Sequence, residues 1–337
     1  MYRLIFACWL TVSVIASLGV AAVVGVGRAG EAPFRPGIIY ALGAKFDKSF
    51  NEGAYNGLEA FKADTGTEYL EYEPASLADF GKAVDAMAGR GATMIICVGF
   101  YYAEPLTALA ADYPDIDFVI IDAVAEGDNV QSVLFREQEG SFLAGVLAAM
   151  HSGSKVIGFV GAIDIPLIRK FVVGFEEGAR HAEPEVEVLL NFIGTTPEAF
   201  NDPARGYEAA VSQFERGADV VFAGAGNSNI GIFQAAEETG NFAIGVDSNQ
   251  NHLHPGTILT SMLKRVDVAV YRALEQGLEG SFQPGVLSLG LAEDAVGWAL
   301  DEHNRALITP EMEAAVAAAT AAIISGDIVV TDPTAAN

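Results

Sequence analysis

The stretch 219-DVVFAGAGNSNIGIFQAAEETGNFAIGVD-247 carries strand, loop, helix and strand in one pass. Its first run, 219-DVVFAG-224, is apolar without alternation, the pattern of a strand buried on both faces. Its helix, 230-IGIFQAAEETG-240, separates that run from a second apolar strand, 242-FAIGVD-247, which stops on a carboxylate. A helix between two such strands makes the crossover unit of a parallel sheet covered on both sides.

The same alternation recurs along the chain. Strands are expected at 37-GIIYAL-42, 93-TMIICVG-99, 117-DFVIID-122, 129-NVQSVLF-135, 156-VIGFVG-161, 186-VEVLLNF-192 and 257-TILTSM-262. Helical patterns lie between many of them, at 51–66, 79–91, 104–114, 137–153, 166–182 and 203–218, with a further one at 310–326. In the first, Tyr55, Leu58 and Phe61 recur at helical spacing and Gly66 ends the pattern. A helix carrying Lys264 is expected after the 257–262 strand. The series restarts near 156-VIGFVGAID-164, so the expectation is two doubly wound α/β lobes. No linker separates them, which favours several crossovers over two consecutive domains. The expected division places residues 36–150 and about 248–280 in the first lobe, and 151–247 and about 281–330 in the second.

Composition narrows the function. With 337 residues, 51% hydrophobic and 19% charged, the chain can bury one large core or two ordinary ones. A net charge of -25 argues against nucleic acid and anionic membrane surfaces as partners, since both need clustered Lys and Arg. Cys8 and Cys97 are the two cysteines, too few and too far apart in context for a thiolate metal cage or an internal disulfide in the body of the chain. Arg3 precedes 4-LIFACWLTVSVIASLGVAAVVGVG-27, which has no charge. That run exceeds the usual signal core of roughly 7–15 residues and is long enough for a bilayer. Residues 1–32 therefore read as a signal peptide or an uncleaved anchor, and the body as extracytoplasmic, free in the periplasm or tethered to the membrane.

Ligands of open parallel sheets sit beyond the carboxyl ends of the strands. The residues collecting there are Asp47 and Asn51, then Phe100 and Tyr101, Asp122, Asp164, Phe200, Asn227 and Asn229, and Asp247. Carboxylates, amides and aromatics in this mixture suit a neutral ligand with a flat ring and hydroxyls. Each also has a plainer role open to it: Asp47 as a helix cap, the phenylalanines as core, Asp122 as a strand end, Lys264 as a solvated helix residue. His252 and His254 form a His-x-His pair without a declared third ligand. No phosphate-binding G-x-x-x-x-G-K-[ST], H-E-x-x-H, C-x-x-C or G-x-S-x-G occurs. The loop 224-GAGNSNIG-231, with Asp247 about 20 residues on, approaches a dinucleotide fingerprint, but Asn229 stands at the third glycine. The reading is a binding protein without catalytic residues, cofactor or metal.

Several stretches together resemble the basic membrane protein (Bmp) family, substrate-binding proteins of ABC importers that include purine-nucleoside receptors. They are 47-DKSFNEGAYNGLEAF-61, 137-EQEGSFLAGVLAA-149, 164-DIPLIRKFVVGFEEGAR-180, 200-FNDPARG-206, 219-DVVFAGAGNSNIGIFQAAEE-238, 245-GVDSNQ-250 and 260-TSMLKRVDVAV-270. The resemblance implies a type I periplasmic-binding-protein fold, with two Rossmann-like lobes, three crossovers and a ligand cleft between them. It implies a nucleoside, a purine in the first instance, delivered to an ABC transporter permease by a monomer. Asp47 and Asn51 would contact the base, Phe50 and Phe200 stack on it, and Gly226 offer a backbone contact. Asp247 would clamp the ribose hydroxyls with Lys264 beside it keeping it ionised; Phe100, Asp122 and Asn227 complete the set. Two features depart from the family pattern: Cys8 lies too early for a lipidated cysteine, and 224-GAGNSN-229 is rich in Asn. Alternatives are a free base, riboflavin or a sugar in the same cleft, a ligand-sensing receptor domain, or an enzyme such as a nucleoside hydrolase.

Overall fold

The computed structural model describes residues 33–335; the apolar segment read above as a signal or anchor lies outside them. The chain opens with β1 (Pro36–Ile39), α1 (Phe50–Thr65), β2 (Leu70–Tyr72), α2 (Phe80–Gly89), β3 (Met94–Val98), α3 (Ala103–Leu109), β4 (Asp117–Ile121) and β5 (Val130–Phe135). It continues through α4 (Glu137–His151), β6 (Val156–Ile163), α5 (Pro166–Ala182), β7 (Glu187–Gly194), α6 (Pro203–Glu215), β8 (Val220–Gly224), α7 (Asn229–Thr239) and β9 (Phe242–Asp247). It closes with β10 (Ile258–Lys264), α8 (Val266–Glu279), β11 (Gly285–Leu289), β12 (Val296–Trp298) and α9 (Pro310–Ser325).

Two six-stranded sheets result, in the orders β2-β1-β3-β4-β5-β11 and β7-β6-β8-β9-β10-β12. Their pairings are parallel except for β12, which runs antiparallel to β10. This is the two-lobed type I periplasmic-binding fold, each lobe doubly wound. The reason is legible locally. All five residues of β3, 94-MIICV-98, are buried, as are all five of β8, 220-VVFAG-224. Strands apolar on both faces need helices on both faces. Phe159, Phe175 and Phe222 meet edge to face over the second sheet, with ring centroids 5.1 and 5.3 Å apart at Phe222. Each such buried ring contributes roughly 1.5–3 kcal/mol.

The division of the chain between lobes differs from the sequence expectation in three places. Helix α4 packs along α5 and against β10 and β12, so it belongs to the second lobe. Of residues 248–280 only α8 belongs to the first lobe, where it lies on α1; β10 pairs with β9. Within 281–330, β11 pairs with β5 and completes the first sheet. The chain therefore crosses at Phe135–Glu137, Lys264–Val266 and Leu289–Leu291. The α4–α5 contact depends on glycine: a Cβ on Gly174 would stand 2.2 Å from the Gln138 carbonyl. Lys264 is the last residue of β10 and not part of a helix.

Candidate functional site

The carboxyl ends of both sheets face one cavity. The first lobe contributes Asp47, Phe50, Asn51, Phe100, Tyr101 and Asp122 to its wall. The second contributes Phe200, Gly226, Asn227, Asp247 and Lys264, with Phe171 of α5 between them. All ten residues singled out as ligand contacts from the sequence thus line a single space. Asp164 does not line it; its carboxylate is held by Arg169 at 2.6 Å on the exposed start of α5. His252 and His254 lie elsewhere, His254 against Glu237 at 3.0 Å.

Asp122 follows β4 and Asp247 ends β9, and these strands hold the same place in the two sheets. Both residues adopt left-handed backbone, φ 74° and 65°. That conformation is uncommon outside glycine and is best tolerated by Asp and Asn. Strained residues of this kind concentrate where a side chain must be aimed.

Lys264 sits at the centre of a buried ion network. Its Nζ is 2.6 Å from Asp122 Oδ2 and 3.0 Å from Glu137 Oε1. Lys170 Nζ is 2.6 Å from Glu137 Oε2 and also donates to the Phe135 carbonyl. The ammonium of Lys264 lies 5.0 Å from the Phe50 ring centroid and 5.1 Å from that of Phe135, within cation–π range. Burial opposes the Lys264 charge, yet Asp122, Glu137 and Asp247 outweigh it and hold its pKa above the ordinary lysine value. The sequence expectation paired Lys264 with Asp247. Its direct partner is instead Asp122, and it acts on Asp247 only through space.

The carboxylates respond to the same burial. Loss of water pushes Asp122 up to about 6, against the pull of Lys264. Burial likewise raises Asp47 to about 6, although three backbone N–H groups stabilise its anion. Asp247 is raised by burial and held back by Lys264 and by the Ser49 hydroxyl, which donates to Oδ2 at 2.6 Å. Asp122 lines the cavity, and its Oδ1 is buried without a hydrogen-bond partner, an acceptor in need of a donor.

The other polar residues are more occupied. Asp47 accepts from the N–H groups of Ser49, Asn51 and Glu52 at 2.8, 3.0 and 3.1 Å, anchoring the first turn of α1. The Asn51 amide donates to the carbonyls of Ala41 and Ala44 and accepts from Ala41 N–H. These two residues, implied as base contacts, shape the loop that presents Phe50. Asn227 donates to Asn201 Oδ1 at 2.7 Å. Gly226 has φ 59°, and a Cβ there would lie 3.1 Å from the Phe200 carbonyl. Tyr101 accepts from Leu42 N–H at 2.7 Å, which leaves its own proton for another acceptor.

Glu137, Lys170, Phe171 and Ser49 were not picked out as site residues from the sequence. A signal existed for two of them: Glu137 and Lys170 are charges set in otherwise apolar helix faces, in 137-EQEGSFLAGVLAA-149 and 166-PLIRKFVVGF-175. Buried charges need each other.

Residues 38–332 match the family described as Bmp, ABC transporter substrate-binding protein PnrA-like. An uncharacterised lipoprotein of Pyrococcus abyssi is 35% identical over 281 residues, covering 78% of this chain and 69% of the relative. Basic membrane protein D of Borreliella burgdorferi is 32% identical over 269 residues, 77% of each chain. Among solved structures, an ABC transporter system solute-binding protein from Aeropyrum pernix superposes with a TM-score of 0.82 at 30% identity, covering 90% of this chain and 94% of that one. The fold, the interlobe cavity and this agreement over nearly the whole described chain place the protein in the Bmp family of ABC transporter substrate-binding proteins.

Proposed function

We propose that the protein captures a nucleoside, a purine in the first instance, in the interlobe cavity outside the cytoplasm and hands it to an ABC transporter permease. The observation that carries this reading is the pair of carboxylates at equivalent strand ends, Asp122 and Asp247, facing a cavity walled by Phe50, Phe100 and Phe200. Flat rings stack on aromatic faces, worth about 1–3 kcal/mol per base in nucleic-acid systems. A carboxylate oxygen accepts from vicinal hydroxyls, at roughly 1.5–3 kcal/mol for a charge-assisted bond. Asp247 takes the ribose hydroxyls in this reading, and Asp122 Oδ1 accepts a further donor.

Charge supports a nucleoside over a nucleotide. Asp47, Asp122 and Asp247 line the cavity with one ammonium, that of Lys264, which Asp122 and Glu137 already hold. A phosphate would meet net negative charge. The protein works by binding: the lobes hinge at the three crossovers and closure buries the ligand. The charge-free segment 4–27, as signal or anchor, and the lipoprotein relatives support work beyond the membrane.

The test is titration calorimetry of chain stripped of ligand, with inosine, guanosine, adenosine and uridine. Micromolar or tighter binding of one or more, lost in Asp247→Ala, supports the reading. No binding of any of the four overturns the ligand assignment.

A further inference from the structure

Ser49 stands in the loop between β1 and α1, in the first lobe, and is fully buried. Its hydroxyl donates to Asp247 Oδ2 of the second lobe at 2.6 Å; the Val246 carbonyl lies 3.3 Å away. One proton cannot serve both acceptors well, and the shorter contact to the stronger acceptor takes it. Two more hydrogen bonds join the same loops. Ser248 Oγ donates to the Ser49 carbonyl at 2.9 Å, and Gln250 Nε2 donates to the Lys48 carbonyl at 3.0 Å. Among the described residues, Ser49 is the donor that reaches the Asp247 carboxylate directly.

We propose that Ser49 is the positioning residue of the carboxylate clamp, fixing Asp247 with Oδ2 on the first lobe and Oδ1 left for the ligand. Donor and acceptor belong to different lobes. An opening that separates residues 47–51 from 246–250 therefore dismantles the clamp, and closure assembles it. The inference rests on Asp247 contacting the ligand.

The charges facing Asp247 are Lys264 on β10, Glu137 on α4, Asp122 after β4 and Asp47 in the β1–α1 loop. Three of these four are carboxylates. Without the Ser49 hydroxyl, only the through-space pull of Lys264 opposes burial, and Asp247 holds its proton to higher pH.

The experiment compares full-length parent, Ser49→Ala, Ser248→Ala and Asp247→Ala. Ser248→Ala removes an interlobe hydrogen bond without touching the carboxylate. The Asp247 carboxyl is followed by carbon NMR titration of the ligand-free chain, its signal assigned by its loss in Asp247→Asn. Inosine affinity is measured by calorimetry from about pH 5 to 8. Ser49→Ala is expected to raise the Asp247 titration midpoint, weaken inosine about tenfold at neutral pH, and displace the acid limb of the affinity profile upward. Ser248→Ala is expected to weaken inosine without moving either. Ser49→Cys, a weaker donor of similar size, gives the same displacement in smaller measure and serves if Ser49→Ala does not fold. An Asp247 midpoint unchanged in Ser49→Ala and Ser49→Cys, with affinity losses matching Ser248→Ala, overturns the inference and leaves Ser49 as an interlobe strap. Asp247→Ala binding inosine like the parent overturns the clamp itself, whatever the midpoint does.

Discussion

Asp122 and Asp247 are counterparts: each stands at the end of the fourth strand of its own lobe, in left-handed backbone, facing the other lobe across one cavity. Their surroundings differ. Asp122 is bound through Oδ2 to the buried Lys264, whereas Asp247 is bound through Oδ2 to the Ser49 hydroxyl. Two matching carboxylates are thus held differently, one by an ion pair and one by a neutral donor.

Asp247→Ala should abolish most nucleoside affinity, by about 100-fold or more if two charge-assisted hydrogen bonds are lost. The ligand-free variant should be as stable as the parent or more so, because a carboxylate whose pKa is raised by burial is destabilising when ionised. Calorimetry and denaturant unfolding check both halves; a large loss of stability with unchanged affinity would reject the clamp.

Lys264→Met should destabilise the protein by about 3–5 kcal/mol, since Asp122 and Glu137 are left buried without their shared cation. The double variant Lys264→Met with Asp122→Asn should recover part of the loss. Urea midpoints of the two single variants and the double form a thermodynamic cycle, and simple additivity would show that the pair is not coupled.

The pH dependence of Asp122 has a definite sign. Its folded pKa, about 6, lies above the ordinary 3.8. The folded state therefore holds more protons than the unfolded chain in that window, and this group's contribution to stability falls as pH rises through it. Measured against Asp122→Asn, the ligand-free parent should lose relative stability between about pH 4 and 6. Ligand affinity should move the opposite way, increasing as the carboxylate ionises. Relative stability that rises with pH in that window would contradict the assignment.

Gly226→Ala should cost about 1–2 kcal/mol through its left-handed backbone and weaken ligand binding by pushing on the Phe200 carbonyl 3.1 Å away. Phe200→Ala should lower affinity by about 1–3 kcal/mol, the worth of one stacked base. A Phe200→Ala variant that binds like the parent would mean the ring is core alone.

The nine strands expected from apolar runs are present, eight within a residue or two and the first, expected to Leu42, ending three residues earlier at Ile39, because burial on both faces leaves a strong mark in composition. The three strands not expected are short or exposed. β2 is 70-LEY-72, β12 is 296-VGW-298, and β11, 285-GVLSL-289, is an edge strand whose first four residues are exposed. Such strands have neither a hydrophobic run nor a period to read. The cavity wall was legible because strand ends can be found one at a time. The pairings behind it were not: Lys264 reaches Asp122 across 142 positions and Ser49 reaches Asp247 across 198. Periodicity reports which face of an element is buried, not which distant charge meets it. The lobe boundaries failed for the same reason, since β10 and α8 are adjacent in sequence and on opposite lobes.

The crossovers bear on how the chain is made. The first sheet lacks the cover of α8 and its edge strand β11 until residues near 289 have been synthesised. Neither lobe is a continuous segment that can fold on the ribosome and wait for the other. The first lobe gains its last strand only at Leu289, and the second its last helix, α9 on α4, only at Ser325. A polypeptide built this way stays open until it is nearly complete, which is the state in which a chain can still be threaded through a narrow translocation pore.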